Sequence, residues 1–176
     1  METSRVKRLL ALLLLTSGPS LVSAQADSGN AARVAIYGVG AAPVGHLILG
    51  GSTPADAARL LKAHGGLGPA RENRVTFHVG SMTMRPRVLH TPPATMHQLY
   101  FDKEILVLVV DGVPRDLPGT RVEFMGRFPE ARETRRESGW YELQAALSEC
   151  VWLIAVFDIS ADALESAGHA YSCPVR

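Results

Sequence analysis

Cysteine is scarce in this chain: two among 176 residues, Cys150 and Cys173, with no CxxC and no histidine at metal-ligand spacing from either. That spacing favours a disulfide over the alternatives of two free thiols or a metal pair. An excess of charge of either sign is also missing, since 18 basic residues face 17 acidic ones. Removing residues 1–26 takes away Arg5, Lys7, Arg8 and Glu2 and leaves 15 basic and 16 acidic residues, a net −1. A near-neutral domain without a basic stripe is not built to bind nucleic acid. Long apolar runs are absent after Leu15, so the mature chain has no integral membrane segment. With 47% hydrophobic and 20% charged residues, the chain is too apolar to be disordered.

Motifs of nucleotide chemistry are missing too. Gly38 to Gly45 is glycine-rich, but Pro43 stands where the dinucleotide fingerprint needs its third glycine. Gly45 to Ser52 has phosphate-loop spacing, but Gly51 replaces the lysine. There is no GxSxG elbow. Asp158-Ile159-Ser160-Ala161-Asp162 begins like a calcium loop, but Ala163 occupies the required glycine position and the distal glutamate is lacking. No cofactor is expected.

The N-terminus has the layout of a secretory signal. Arg5, Lys7 and Arg8 precede the apolar run Leu9 to Leu15, Gly18 and Pro19 break it, and Val22-Ser23-Ala24 and Ala24-Gln25-Ala26 offer small-residue cleavage sites. The run falls far below the ~20 residues of a spanning helix. The expected organisation is therefore a cleaved signal at 1–26, a flexible mature terminus at 27–32, and one globular domain at 33–176, secreted or periplasmic. In such an oxidising compartment Cys150 and Cys173 are expected to form a disulfide at the open end of a C-terminal hairpin.

The clearest helix spans residues 53–64. Thr53 is an N-cap, Pro54 takes the first helical position, and Asp56 suits the positive end of the dipole. Ala57, Leu60, Leu61 and His64 make one stripe, and Gly65-Gly66 ends it. A helix of three turns needs a surface to pack on.

Most of the remainder reads as strand: 33–37, 74–79, 87–90, 96–101, 104–110, 122–125, 150–157 and 169–173, with a hairpin turn at Asp102-Lys103. The run 104–110 is the most β-branched and is expected to be central. Residues 128–138 fit a short helix or a solvated loop. Residues 140–147 fit strand or helix, and leading Trp140 and Tyr141 favour strand, turning at Ser148-Glu149. The predicted class is α+β: an antiparallel sheet of about seven short strands with one main helix on one face.

Six histidines are present: His46, His64, His78, His90, His97 and His169. None lies at i, i+4 on a helix or in an HxH strand pair. His90 and His97 flank a proline loop near Asp102 and Glu104, the one place where a metal or hydrolytic site could assemble. The charged run Arg132 to Glu137 reads as a solvated face.

The segment ILGGSTPADAARLLKAHGGLGP, residues 48–69, resembles the LG-S/T-x-x-(D/E)-(V/A)-x-x-x-L-G-x-P helix that opens small bacterial envelope proteins of the outer-membrane-assembly lipoprotein and β-lactamase-inhibitor protein group. This chain lacks their lipidated cysteine and has a longer glycine ending. The resemblance implies a helix-on-sheet architecture and a binding role, and carries no functional residue across. The expected function is a non-catalytic binding or envelope-associated role toward another envelope or extracellular protein. The alternative is a small hydrolase or metal-dependent enzyme at His90, His97, Asp102 and Glu104.

Overall fold

The segment around Thr53 folds as its residues dictate. In the computed structural model, which describes residues 25–27, 31–37, 42–71, 76–90, 97–112 and 116–173 (25–27 and 87–90 by their backbone), α1 runs Pro54–Leu61 with one turn of 3-10 helix at Lys62–His64. Thr53 Oγ1 accepts from the Asp56 N–H at 3.3 Å, and the Asp56 carboxylate accepts from the Thr53 N–H at 2.9 Å. This closed capping box satisfies helix donors that would otherwise be orphaned. Gly65, at φ +95°, ends the helix in the left-handed region.

Ahead of α1, β1 (Gln25–Asp27), β2 (Ala31–Tyr37) and β3 (Pro43–Leu49) form a three-stranded sheet in that order. Asp27, Ala31 and Ala32, expected in a loose terminus, therefore lie in paired strands. After α1 come β4 (Ala70–Arg71), β5 (Phe77–Val79), β6 (Met82–Met84), β7 (Arg87–His90), β8 (His97–Asp102) and β9 (Ile105–Asp111). A second helix, α2, spans Arg121–Arg127. The chain closes with β10 (Arg132–Arg136), β11 (Trp140–Ala146), β12 (Val151–Asp158) and β13 (Ala163–Tyr171).

The main sheet has eight strands in the order β10-β11-β12-β13-β9-β8-β7-β4, and β5-β6 is a separate hairpin. Every pair is antiparallel. The run expected to be central does lie inside the sheet: β9 sits between β8 and β13. The last strand, β13, joins the β7–β9 ladder to the β10–β12 meander. A disulfide between Cys150 and Cys173 pins its end to the start of β12.

One face of the main sheet is covered in two places. Ala57 and Leu61 of α1 bury with Val34, Ile36 and Leu49 of the small sheet against Leu99, Phe101 and Leu106. The Gly50 N–H donates to Leu106 O and the Leu106 N–H to Ser52 O, both at 2.8 Å, stitching the β3–α1 turn to the head of β9. Farther along, Phe124 of α2 packs on Phe157, Tyr141 and Leu143. On the opposite face the β5–β6 hairpin covers Tyr100, Leu108 and Ile154 with Val79 and Met84. The Gln144 side chain bridges to it, donating to His78 O at 2.7 Å and accepting from the Gly80 N–H at 3.2 Å. Gly80, at φ +57°, lies against Trp152, where a Cβ would fall 2.6 Å from the ring.

The α+β class is as predicted, but its detail differs. Thirteen strands in three sheets stand where about seven were expected, among the described residues. The helix at 53–64 is not alone, because α2 is nearly as long. Residues 122–125, expected as strand, belong to α2: the Thr120 hydroxyl caps it by accepting from the Glu123 N–H at 3.4 Å. Residues 132–136, expected as helix or loop, form the edge strand β10, exposed throughout. Ladder pairing with β11 holds this charged segment extended, and charge on an edge discourages pairing with other chains. Residues 140–146 are strand, and β11 turns into β12 through Ser148-Glu149. The β8–β9 turn falls at Lys103-Glu104, one residue later than expected, with φ +46° and +65°. Two positive φ values are what a tight hairpin connection requires. β13 starts at Ala163, so only a four-residue turn separates it from β12. The proline loop 91–94, residues 38–41 and Arg74-Val75 lie outside the described residues. No helix among the described residues is long and apolar enough to cross a membrane.

Candidate functional site

The site anticipated at His90, His97, Asp102 and Glu104 does not assemble. His97 pairs with Asp111 and Asp102 with Ile105 in the β8–β9 register, so the two lie at opposite ends of one ladder. Five residue steps along a strand separate them by roughly 17 Å. Glu104 sits in the hairpin turn with Lys103, at Asp102's end. His90 is at the other end, in register with Gln98. Among the described residues no group of three or more histidine, cysteine, aspartate or glutamate side chains is placed to hold a metal.

His97 has a different role. It is buried, its Nε2 accepts from the Tyr37 N–H at 2.7 Å, and its Nδ1 meets the Asp111 carboxylate. Because Nε2 is the acceptor, the ring hydrogen sits on Nδ1 and faces the Asp111 carboxylate, which accepts from it. The ring also stacks on Tyr37 with centroids 6.2 Å apart. Both nitrogens are therefore occupied, Nε2 in joining β2 to the main sheet and Nδ1 in bridging β8 to β9. His169 is buried close by, and burial holds its pKa below the ordinary value, with the Asp111 carboxylate pulling the other way. His64 and His46 are exposed. The Asp158 turn is closed on itself, its Oδ1 accepting from Ser160 Oγ at 2.6 Å and the Ala161 N–H at 2.7 Å. Asp162 accepts the Tyr141 hydroxyl at 2.9 Å, and burial together with this bond pushes the Tyr141 pKa up to about 12.

Described residues line three hollows, two of them adjoining. One, of about 570 Å³, is a broad hollow beside α1. Of its polar groups, Ser52 Oγ accepts from the Ile48 N–H at 2.9 Å and Asp56 binds Thr53 and Arg59, and exposed His46 also lines it. Another, of about 330 Å³, lies on the open face of the main sheet, beyond the edge of the β5–β6 hairpin. Its floor is Leu108, Val110, Ile154 and Val156. Phe77, Tyr100 and Trp140 form aromatic walls, with Phe77 and Tyr100 edge to face at 5.2 Å. Gln98, Arg135, Glu142 and Ser166 supply the polar rim. The third, of about 550 Å³, continues it between β5 and β10 and shares Phe77, Arg135 and Glu142. An apolar floor with a few convergent polar groups is the usual build of a small-molecule site.

The rim is held in place by its own contacts. Glu142 Oε1 accepts from Thr134 Oγ1 at 2.6 Å and from Gln144 Nε2 at 2.8 Å. The Arg135 guanidinium binds the Glu137 carboxylate and lies over the Trp140 ring at 5.1 Å. The Tyr100 hydroxyl donates to Gln98 Oε1 at 2.6 Å, and burial raises the pKa of that phenol. A β-bulge between Glu133 and Arg135 turns the edge strand so that Thr134 reaches Glu142 and Arg135 stands opposite it. Bulges of this kind commonly re-aim side chains beside functional sites.

Sequence reasoning read 132–137 only as a solvated face and Trp140 only as a strand marker. The available signal was alternation: Trp140, Glu142 and Gln144 share one face of β11, opposite Tyr141, Leu143 and Ala145. Compared with known proteins, the chain matches no family model, no curated protein and no solved structure.

Proposed function

We propose that the protein is a non-catalytic binding domain exported to the cell envelope or the medium, and that the cleft on the open sheet face is its ligand site. The observation that carries this reading is the cleft's combination of aliphatic floor, three aromatic walls and oriented polar rim. The signal-like N-terminus and the Cys150–Cys173 disulfide support export. The separation of His97 from Asp102 and Glu104 along the β8–β9 ladder favours this reading over the hydrolase or metal-dependent alternative.

The pairing of β1 with β2 favours cleavage after Ala24, which leaves Gln25–Asp27 in the sheet, over cleavage after Ala26. The binding reading is tested with anilinonaphthalene sulfonate, a fluorescent probe with an apolar body. One molecule should bind per native chain, and Val156→Trp, which fills the floor, should weaken it at least about tenfold. Probe binding that does not saturate, or that ignores Val156→Trp, would overturn the assignment.

A further inference from the structure

The structure points to a ligand class for this cleft: we infer that it takes a small zwitterion with an apolar side chain, such as a free aromatic or aliphatic α-amino acid. The inference rests on the cleft being a binding site, as proposed above. Three observations carry it.

The first is charge placement. Arg135 and Glu142 are direct partners in the β10–β11 ladder, so their side chains leave neighbouring backbone positions and both line the cleft. No ion pair joins them. Arg135 turns to Glu137, and Glu142 is held by two neutral donors, Thr134 and Gln144. One cation and one anion thus stand side by side at the mouth, each oriented by another neighbour.

The second is capacity left over. Both donors to Glu142 bind Oε1, and among the described residues none binds its Oε2. Arg135 gives one guanidinium nitrogen, Nη2, to Glu137, and its Nε and Nη1 donate to no described residue. A carboxylate can bridge to that fork, and an ammonium can reach the carboxylate oxygen, as charge-assisted bonds. Because the rim groups are already positioned, little side-chain freedom is lost on binding.

The third is size and lining. About 330 Å³ is at the small end for ligand sites, large enough for one amino acid and small for a drug-sized molecule. The floor of Leu108, Val110, Ile154 and Val156 suits an apolar side chain, and Phe77 and Tyr100 flank it. An uncharged apolar ligand would leave both rim charges unused. A ligand with one charge would use only one of the two rim groups and leave the spare capacity of the other unfilled.

The test is a titration of the folded mature protein with L-phenylalanine, 3-phenylpropionate (no ammonium) and 2-phenylethylamine (no carboxylate), followed by calorimetry at low ionic strength. L-phenylalanine should bind one per chain and at least about tenfold more tightly than either analogue. Glu142→Gln should erase its advantage over 3-phenylpropionate, and Arg135→Met its advantage over 2-phenylethylamine. Arg135 is exposed on the edge strand and Glu142 is half-buried on the strand beside it, and circular dichroism checks that each variant folds. Equal binding of all three compounds would overturn the zwitterion assignment. So would anilinonaphthalene sulfonate binding, sensitive to Val156→Trp, with no L-phenylalanine binding; that result leaves the cleft a binding site. If neither compound binds, both readings fall.

Discussion

His97 shows how much a single side chain can be asked to do. Its ring accepts a backbone N–H from β2 and donates to Asp111 on β9, so one imidazole links two sheets. His97→Ala should cost about 3 kcal/mol in urea unfolding, because it removes both bonds and leaves a part-buried carboxylate without this donor. His169 makes a separate, pH-dependent contribution. Its pKa is lowered by burial, so below the ordinary histidine value of 6.5 the unfolded chain binds more protons than the native one. Stability should therefore fall as pH drops from 7.5 to 5, and His169→Gln should flatten that slope. Asp56, Glu133 and Asp158 have pKa values lowered by their hydrogen-bonding partners, and their contributions are lost only at more acid pH, in the carboxylate range. An equal slope in wild type and His169→Gln would refute the assignment. None of this was legible in the sequence. Histidine spacing is a local property, whereas His97, Asp111 and His169 meet only through strand register.

Elements divide by whether their signals are local. α1 was readable because cap, proline, stripe and terminal glycine all lie within 14 residues and agree with one another. α2 carried a local signal as well, since Thr120 and Glu123 have capping-box spacing, but its short apolar stretch Val122–Met125 imitates a strand. β10 had none: an exposed edge strand needs no apolar alternation, and its extended form comes from β11. The same logic explains the missed cleft, whose rim residues are polar or charged and come together as a rim only because the β5–β6 hairpin leaves part of one sheet face open. β13 supplies the element-scale prediction. A Cβ on Gly168 would fall 2.5 Å from Val109 O and 3.2 Å from Val110 Cα, both backbone atoms that cannot swing away. Gly168→Ala should destabilise by about 2 kcal/mol in chemical unfolding through overpacking of the β13–β9 seam. A neutral result would mean that the seam is looser than its register implies.

For the molecule as a whole, β13 is the strand that makes one sheet of two ladders, and the Cys150–Cys173 disulfide closes its end over a sequence separation of 23. Reduction should cost about 3 kcal/mol on the chain-entropy argument, and thiol titration of unfolded, unreduced protein should find no free thiol. Among the described residues, α1, α2 and the small sheet occupy one face and a hairpin covers part of the other, and the proposed ligand site is the apolar concavity left beside that hairpin. The most direct measurement of that claim is a map of backbone amide shifts in labelled protein as anilinonaphthalene sulfonate is added. The account predicts saturable shifts gathered at 108–110, 140–142, 154–156 and 166–168, with 46–64 unmoved. Shifts gathered instead in the hollow beside α1, or scattered without saturation, would contradict it.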